Sequence, residues 1–270
     1  MLTVNAPRSP EAAAATEKGA FEEVLRQTIA RLEEANRRKD DFFAVLAHEM
    51  RTPLHATLNW IEVLRETDDP KTKKQALASI ERSMKLQSRM IDDLLDVSKI
   101  STGKLFLELQ ELDLASVVGN AFEMVLPEAT GKGIEMELVV EPGSIPMCGD
   151  LARLEQVVSN ILSNAIKFTR KGGKVSVDVA VVGEQAEIRV MDTGEGISPD
   201  VLPHIFERYR QGDSSVNQRE SGLGLGLTIA GHIVEIHGGR IDAESPGKGL
   251  GATFRVHFPL KRVSGNSTSA

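Results

Sequence analysis

Four residues, Thr67-Asp68-Asp69-Pro70, separate two long helical patterns and so dictate how the first third of this chain must fold. The first pattern runs up to residue 66. After the break, over residues 71–100, Leu77, Ile80, Met84, Ile91 and Leu94 fall on one heptad-like stripe that Gln87 interrupts once. Two long amphipathic helices joined by so short a turn fold back on each other as an antiparallel hairpin. Alone they cannot bury an apolar surface on both sides, so the hairpin of a second copy is expected to close a four-helix bundle, a homodimer. Docking of the hairpin onto the rest of its own chain is the alternative, and it leaves the first helix half uncovered.

Upstream, residues 17–40 are dense in Glu, Arg and Lys, with Phe21, Leu25, Thr28, Leu32 and Ala35 alternating by four and three. The spacing fits a coiled-coil seam or a solvated single helix. Residues 1–16, with Pro7, Pro10 and an alanine run, are expected to be a disordered lead-in.

Past Ser101-Thr102-Gly103, which reads as a linker, the character changes. Short alternating stretches appear at 104–112, 134–141, 174–182, 186–192, 240–244 and 253–259, and helical patterns at 114–126, 151–168 and 225–237. That order predicts an α+β sandwich over residues 104–262, one mostly antiparallel sheet with helices against one face. Residues 263–270 are rich in Ser, Thr, Gly and Asn and are expected to be disordered.

Composition excludes several classes of function. The formal charge of −7 and the scattered basic residues give no reason to expect nucleic-acid binding. The single Cys148 rules out an intrachain disulfide framework and any multi-cysteine metal site, and fits a reducing, cytoplasmic setting. No apolar run reaches the roughly 18 residues a membrane span needs.

Chemistry-bearing residues cluster in five places. In residues 41–60, DFFAVLAHEMRTPLHATLNW, His48 and Thr52 share a helical face because they are four apart, with Glu49 about 100° round. Pro53 has no amide hydrogen for the Glu49 carbonyl, so a bend is expected within a turn of His48. Over residues 151–168, Gln156, Asn160, Asn164 and Lys167 recur at four and three opposite an apolar side. Asparagine carbonyls suit a hard cation such as Mg²⁺, and a lysine reaches a phosphate, although a solvated face reads the same way. In AEIRVMDTGEGI, Asp192 shares a strand side with Ile188 and Val190, and Gly194 and Gly196 follow. A carboxylate there needs a donor, which the exocyclic amine of a purine supplies, or it caps a turn. Residues 222–227, GLGLGL, open a helix and bare backbone amides to anions, without dinucleotide or Walker spacing. Between these two motifs, residues 203–221 read as a polar flap anchored by Ile205 and Phe206.

The boxes AHEMRTPL around His48, NILSNAIKFT from Asn160, DTGEGI from Asp192, FERYRQ from Phe206 and GLGLGL from Gly222 stand in one order, with VEIHGGRI from Val234 beside them. In this the sequence resembles the sensor histidine kinases of two-component signalling, over residues 17–260. The resemblance implies a signalling helix over 17–40, a dimerisation and phosphotransfer hairpin over 41–100, and a Bergerat-type ATP-binding domain over 104–262. It implies Mg²⁺-ATP-dependent phosphorylation of His48, assisted by Glu49, and transfer to an aspartate of a separate receiver protein. Thr52 would orient water in a reverse, phosphatase reaction. Asn164, supported by Asn160, would hold Mg²⁺, and Lys167 would contact phosphate. Asp192 would read the adenine amine, while Gly194, Gly196, Phe206, Gly222, Gly224 and Gly226 would shape the nucleotide pocket. The partners implied are the receiver domain, a second copy of the chain and an upstream sensor domain or protein.

Rival readings fare less well. Gyrase- and chaperone-type ATPases of the same nucleotide fold carry no phosphoacceptor hairpin. An HExxH zinc helix fails because position 52 is Thr.

Overall fold

The computed structural model describes residues 10–207 and 224–260. Helix α1 (Pro10–Glu66) is continuous over 57 residues and runs unbroken through Pro53. The chain divides into two compact units, the first ending at His48 and the second starting at Glu49. In the first, Leu25, Ile29 and Leu32 are exposed, whereas Phe42 and Leu46 are buried. Helix α1 starts at Pro10, seven residues before Glu17, where the lead-in was expected to give way. The alanines at 12–15 are the reason, since Ala has the highest helix propensity, and Pro is tolerated at a first helical position.

In the second unit α1 ends at Glu66 and α2 (Pro70–Ser101) begins after three residues. Asp69 caps α2, its carboxylate accepting from the amides of Lys71 and Thr72, with Pro70 at the first position. Gln87 Nε2 donates to the Met50 carbonyl at 3.4 Å across 37 residues, as an antiparallel hairpin requires. Ala76, Met90, Val97 and Ile100 of α2 are buried, whereas Leu77, Met84, Ile91 and Leu95 remain exposed. The segment at 101–103 is shorter as a linker than expected, because Ser101 still belongs to α2.

The rest of the second unit is a five-stranded sheet under three helices. Its strands are β2 (Glu135–Val140), β4 (Lys174–Val182), β5 (Gln185–Asp192), β6 (Arg240–Glu244) and β7 (Ala252–Pro259), in the order β2-β4-β5-β7-β6. Only the β2–β4 pair is parallel. A separate antiparallel pair joins β1 (Gln110–Asp113) to β3 (Pro146–Gly149). Helices α3 (Leu114–Lys132), α4 (Leu151–Phe168) and α5 (Gly226–Ile236) form the covering layer.

Register sorts the two faces of the sheet. Val177 pairs with Val190, Val190 with Phe254, and Ile188 with Val256, and all of these are buried on the helix-covered side. The alternate residues carry charge on the other side, where Arg189 pairs with Glu187 at 2.6 Å and Arg255 with Glu244 at 2.7 Å.

Further features of this unit differ from those the sequence predicts. Residues 104–109 form no strand, because only Gln110–Asp113 find a partner, in β3. Helix α3 continues past Pro127 to Lys132, where Gly133 in a left-handed conformation (φ 72°) ends it. Ala129, fully buried, supplies packing that outweighs the amide hydrogen Pro127 lacks. The short strand β3 has no alternation long enough to announce it.

Candidate functional site

Asp192 is the last residue of β5, and strand alternation puts its carboxyl on the helix-covered face with Ile188 and Val190. The Gly194 amide donates to Oδ1 at 2.8 Å and the Ala252 amide donates to the same oxygen at 3.3 Å. Among the described residues no donor is bonded to Oδ2. Burial pushes the Asp192 carboxyl above its ordinary range, and the two amides oppose that shift. One oxygen is therefore fixed by backbone while the other is left without a bonded donor among the described residues.

The glycines after Asp192 are there for space. A Cβ on Gly194 would lie 2.5 Å from the Phe168 carbonyl oxygen and 2.8 Å from Asp192 Oδ1. Gly196 has φ +64°, and a Cβ there would run into the Gly247 carbonyl. The Glu195 amide donates to the Phe168 carbonyl at 3.0 Å, so the turn is tied to the C-terminal end of α4.

That end of α4 carries the amide stripe. Asn160, Asn164 and Lys167 are half-buried on it, and Leu154, Val158, Ile161 and Ala165 are buried on the apolar side. Asn160 Nδ2 donates to the Gly226 carbonyl at 3.0 Å, joining α4 to the first residue of α5. A Cβ on Gly226 would come within 3.4 Å of Asn160 Cγ. Lys167 Nζ lies 4.9 Å from the centre of the Phe168 ring. Gln156, the first member of the stripe in sequence, is engaged elsewhere. Its Nε2 donates to Asp96 Oδ2 at 2.8 Å, beside Arg153 Nη1 at 2.6 Å.

Gly224 adopts φ +67°, which favours glycine, just before α5. Phe206 packs edge-on against Phe254 with ring centres 6.4 Å apart, anchoring the start of the 203–221 segment. Gly222 and residues 208–221 of that segment, with part of the FERYRQ box, lie outside the described residues.

The phosphoacceptor candidates lie on α1. His48 is exposed. In the second unit Glu49 is half-buried and Thr52 exposed, while Pro53 and Thr57 are buried one turn apart, with Thr57 Oγ1 donating to the Pro53 carbonyl at 3.0 Å.

Two supporting groups were given no role from the sequence, although His237 stands in the VEIHGGRI box. Lys132 Nζ, from α3, donates to the carbonyls of Ile166 at 3.0 Å and Lys167 at 2.5 Å, capping the end of α4 that bears Lys167. His237 accepts from the Asp150 amide at its Nε2 (3.1 Å), with Nδ1 2.7 Å from the Ile233 carbonyl. Its imidazole is thus the neutral Nδ1–H form, and burial holds its pKa below the usual value.

Comparison with known proteins identifies both parts of the chain. Residues 38–103 match the His Kinase A (phospho-acceptor) domain, and residues 149–262 match the histidine kinase-, DNA gyrase B- and HSP90-like ATPase family. The chain belongs to the sensor histidine kinase family. It is 35% identical over 239 residues to signal transduction histidine-protein kinase BarA of Escherichia coli K12, covering 85% of this chain and 26% of that protein. Hybrid signal transduction histidine kinase D of Dictyostelium discoideum is 33% identical over 279 residues, covering 86% of this chain and 18% of that protein. The chain thus spans about a quarter or less of the curated relatives it matches. Among solved structures, full-length ShkA in complex with AMPPNP superimposes with a TM-score of 0.60 at 30% identity, over 80% of this chain and 45% of that one. Among the described residues no helix is long and apolar enough to cross a membrane.

Proposed function

We propose that this chain is the catalytic core of an ATP-dependent protein-histidine kinase that phosphorylates its own His48 and passes the phosphoryl group to an aspartate of a separate response regulator. The observation that carries this reading is Asp192, with one oxygen held by two backbone amides and the other open, beside the helix that bears Asn160 and Asn164. A purine amine is the complementary donor for the open oxygen.

Asp192 and the turn of Gly194 and Gly196 bind the adenine, with Phe206, Gly222, Gly224 and Gly226 shaping the rest of the pocket. Lys167 contacts phosphate. A single amide oxygen fits a Mg²⁺ ion, which keeps most of its coordination for water and phosphate, so Asn164 is the residue that would hold it. When bound, the ion neutralises charge on the β- and γ-phosphates.

His48 supplies a neutral ring nitrogen as nucleophile. It forms a bond to the γ-phosphorus as the bond from that phosphorus to the ADP oxygen breaks. Glu49 accepts a hydrogen bond from the other ring nitrogen and so raises the nucleophilicity of the attacking one. In the second step an aspartate oxygen of the receiver attacks the same phosphorus and the P–N bond breaks. Thr52 orients water for the opposing phosphatase reaction. The exposed stripe of Leu77, Met84, Ile91 and Leu95 is the surface that pairs with a second copy of the chain, and the site of action is cytoplasmic.

The test is incubation with γ-labelled ATP and Mg²⁺, comparing wild type with His48→Gln and Asn164→Ala. Acid-labile, alkali-stable label is expected on wild type alone. Label persisting on His48→Gln would remove His48 as the acceptor.

A further inference from the structure

We infer that Ser245, in the loop between β6 and β7, is a positioning residue for purine recognition, holding the backbone that aims Asp192. The inference rests on the reading of Asp192 as the purine-binding carboxylate.

A serine hydroxyl has one hydrogen to give and two lone pairs to receive. All three capacities of Ser245 are used within one patch. Its Oγ donates to the Gly251 carbonyl at 2.7 Å and accepts from the Ile197 amide at 2.9 Å and the Gly247 amide at 3.3 Å. Ile197 closes the DTGEGI turn, and Gly247 and Gly251 belong to the β6–β7 loop. One side chain thus joins two segments about 50 positions apart in sequence.

The same two segments are stitched along their length. The Gly249 amide donates to the Glu195 carbonyl at 2.6 Å, and the Gly251 amide to the Gly194 carbonyl at 3.1 Å. The next amide in line, that of Ala252, is the one that donates to Asp192 Oδ1. A Cβ on Gly251 would collide with the Asp192 carbonyl, so the loop backbone lies against the purine-reading residue itself.

The loop needs such a fastening. Gly247, Gly249 and Gly251 all have positive φ (132°, 82° and 74°), and a segment with three glycines loses much conformational freedom on adopting one path. Among the described residues, the serine hydroxyl is the side-chain tie from this loop to the turn. Without it the loop is tied to the turn by backbone hydrogen bonds alone, the Ala252 amide at the loop's end is aligned less closely with Oδ1, and the open oxygen of Asp192 is presented over a wider range of directions.

The test measures the affinity of the full chain for ATP and for purine riboside triphosphate, which lacks the 6-amino group, by titration calorimetry. Wild type, Ser245→Ala, Ser245→Thr and Asp192→Asn are compared. One charge-assisted hydrogen bond is worth about a tenfold preference of wild type for ATP. Ser245→Ala is expected to shrink that preference toward the Asp192→Asn value while keeping wild-type affinity for the purine analogue. Ser245→Thr, which retains the hydroxyl, keeps the preference. An undiminished preference in Ser245→Ala, or an equal loss of affinity for both nucleotides, would overturn the inference and leave the Asp192 reading standing. A wild type that does not distinguish the two nucleotides would overturn the Asp192 reading, and this inference with it.

Discussion

Helices α2 and α4 share one plan, an apolar stripe along a polar rod, and differ in how much of that stripe is covered. In α4 every apolar residue from Leu154 to Ile166 is buried, and the exposed apolar residues, Leu151, Ala152 and Phe168, lie at its two ends. In α2 the buried apolar residues, Ala76, Met90, Val97 and Ile100, share the helix with the exposed Leu77, Met84, Ile91 and Leu95. The first three of these are spaced by seven, the period of a helix that seeks a helical partner. One helix finds its core within the chain, and the other leaves a second apolar stripe exposed.

Removing bulk from the self-contained helix should cost most. Leu162→Ala, at a fully buried site, is expected to lower stability by about 2–5 kcal/mol in chemical denaturation. A loss below about 1 kcal/mol would mean that α4 is less tightly covered than its burial indicates.

Next in size is the contact the two helices share. Asp96 of α2 is buried and accepts from both Arg153 and Gln156 of α4. Arg153 keeps some contact with water, so Asp96→Ala should cost about 1–3 kcal/mol rather than the full penalty of a buried lone charge. Double-mutant cycles with Arg153→Ala read the coupling directly, and additive losses would show that the pair contributes nothing of its own.

A charge on the open seam should leave the fold intact and separate copies of the chain. Leu95→Glu is expected to weaken self-association by at least about tenfold in sedimentation equilibrium, with little change in the circular dichroism of the sheet domain. Unaltered association would point to another occupant of the seam.

The smallest effect is on pH dependence. Burial, followed by Asp96 and Asp92, raises the Asp93 carboxyl from 3.8 to about 6. A raised carboxylate favours the fold while protonated, so its contribution is present below about pH 4 and is lost as pH rises through about 6. Asp93→Asn, which mimics the protonated form, should therefore raise the melting temperature at pH 7.5 by a few degrees, about what 1 kcal/mol produces. The gain should fade as pH is lowered toward 4. A gain that persists unchanged at pH 4 would assign it to something other than the charge.

Where local chemistry decided the structure, the sequence was a good guide. The bounds of α4 coincide with the 151–168 pattern because Asp150 caps it and the apolar residues keep strict threes and fours. The sheet was legible in β4, β5 and β6 because each is long or alternating. Asp192 was readable as a carboxylate needing a donor from the two apolar residues that alternate with it. What stayed hidden depends on partners distant in the chain. Gln156 looks like a ligand residue until Asp96, 60 positions away, is seen to take its amide. Helix α3 was expected to stop at Pro127 because its tertiary packing cannot be read from the local sequence. The support for Asp192 is made by backbone amides, which every residue but proline has, so no side-chain pattern announces it.

The link at Asp96 has one more property. Donor distances of 2.6 and 2.8 Å leave almost no slack, and a helix turns by about 100° for each residue it shifts in phase. Any rotation of α2 large enough to re-seat its leucines swings Asp96 off Arg153 and Gln156 altogether. Asp96 therefore couples the orientation of α2 to that of α4 through two short hydrogen bonds.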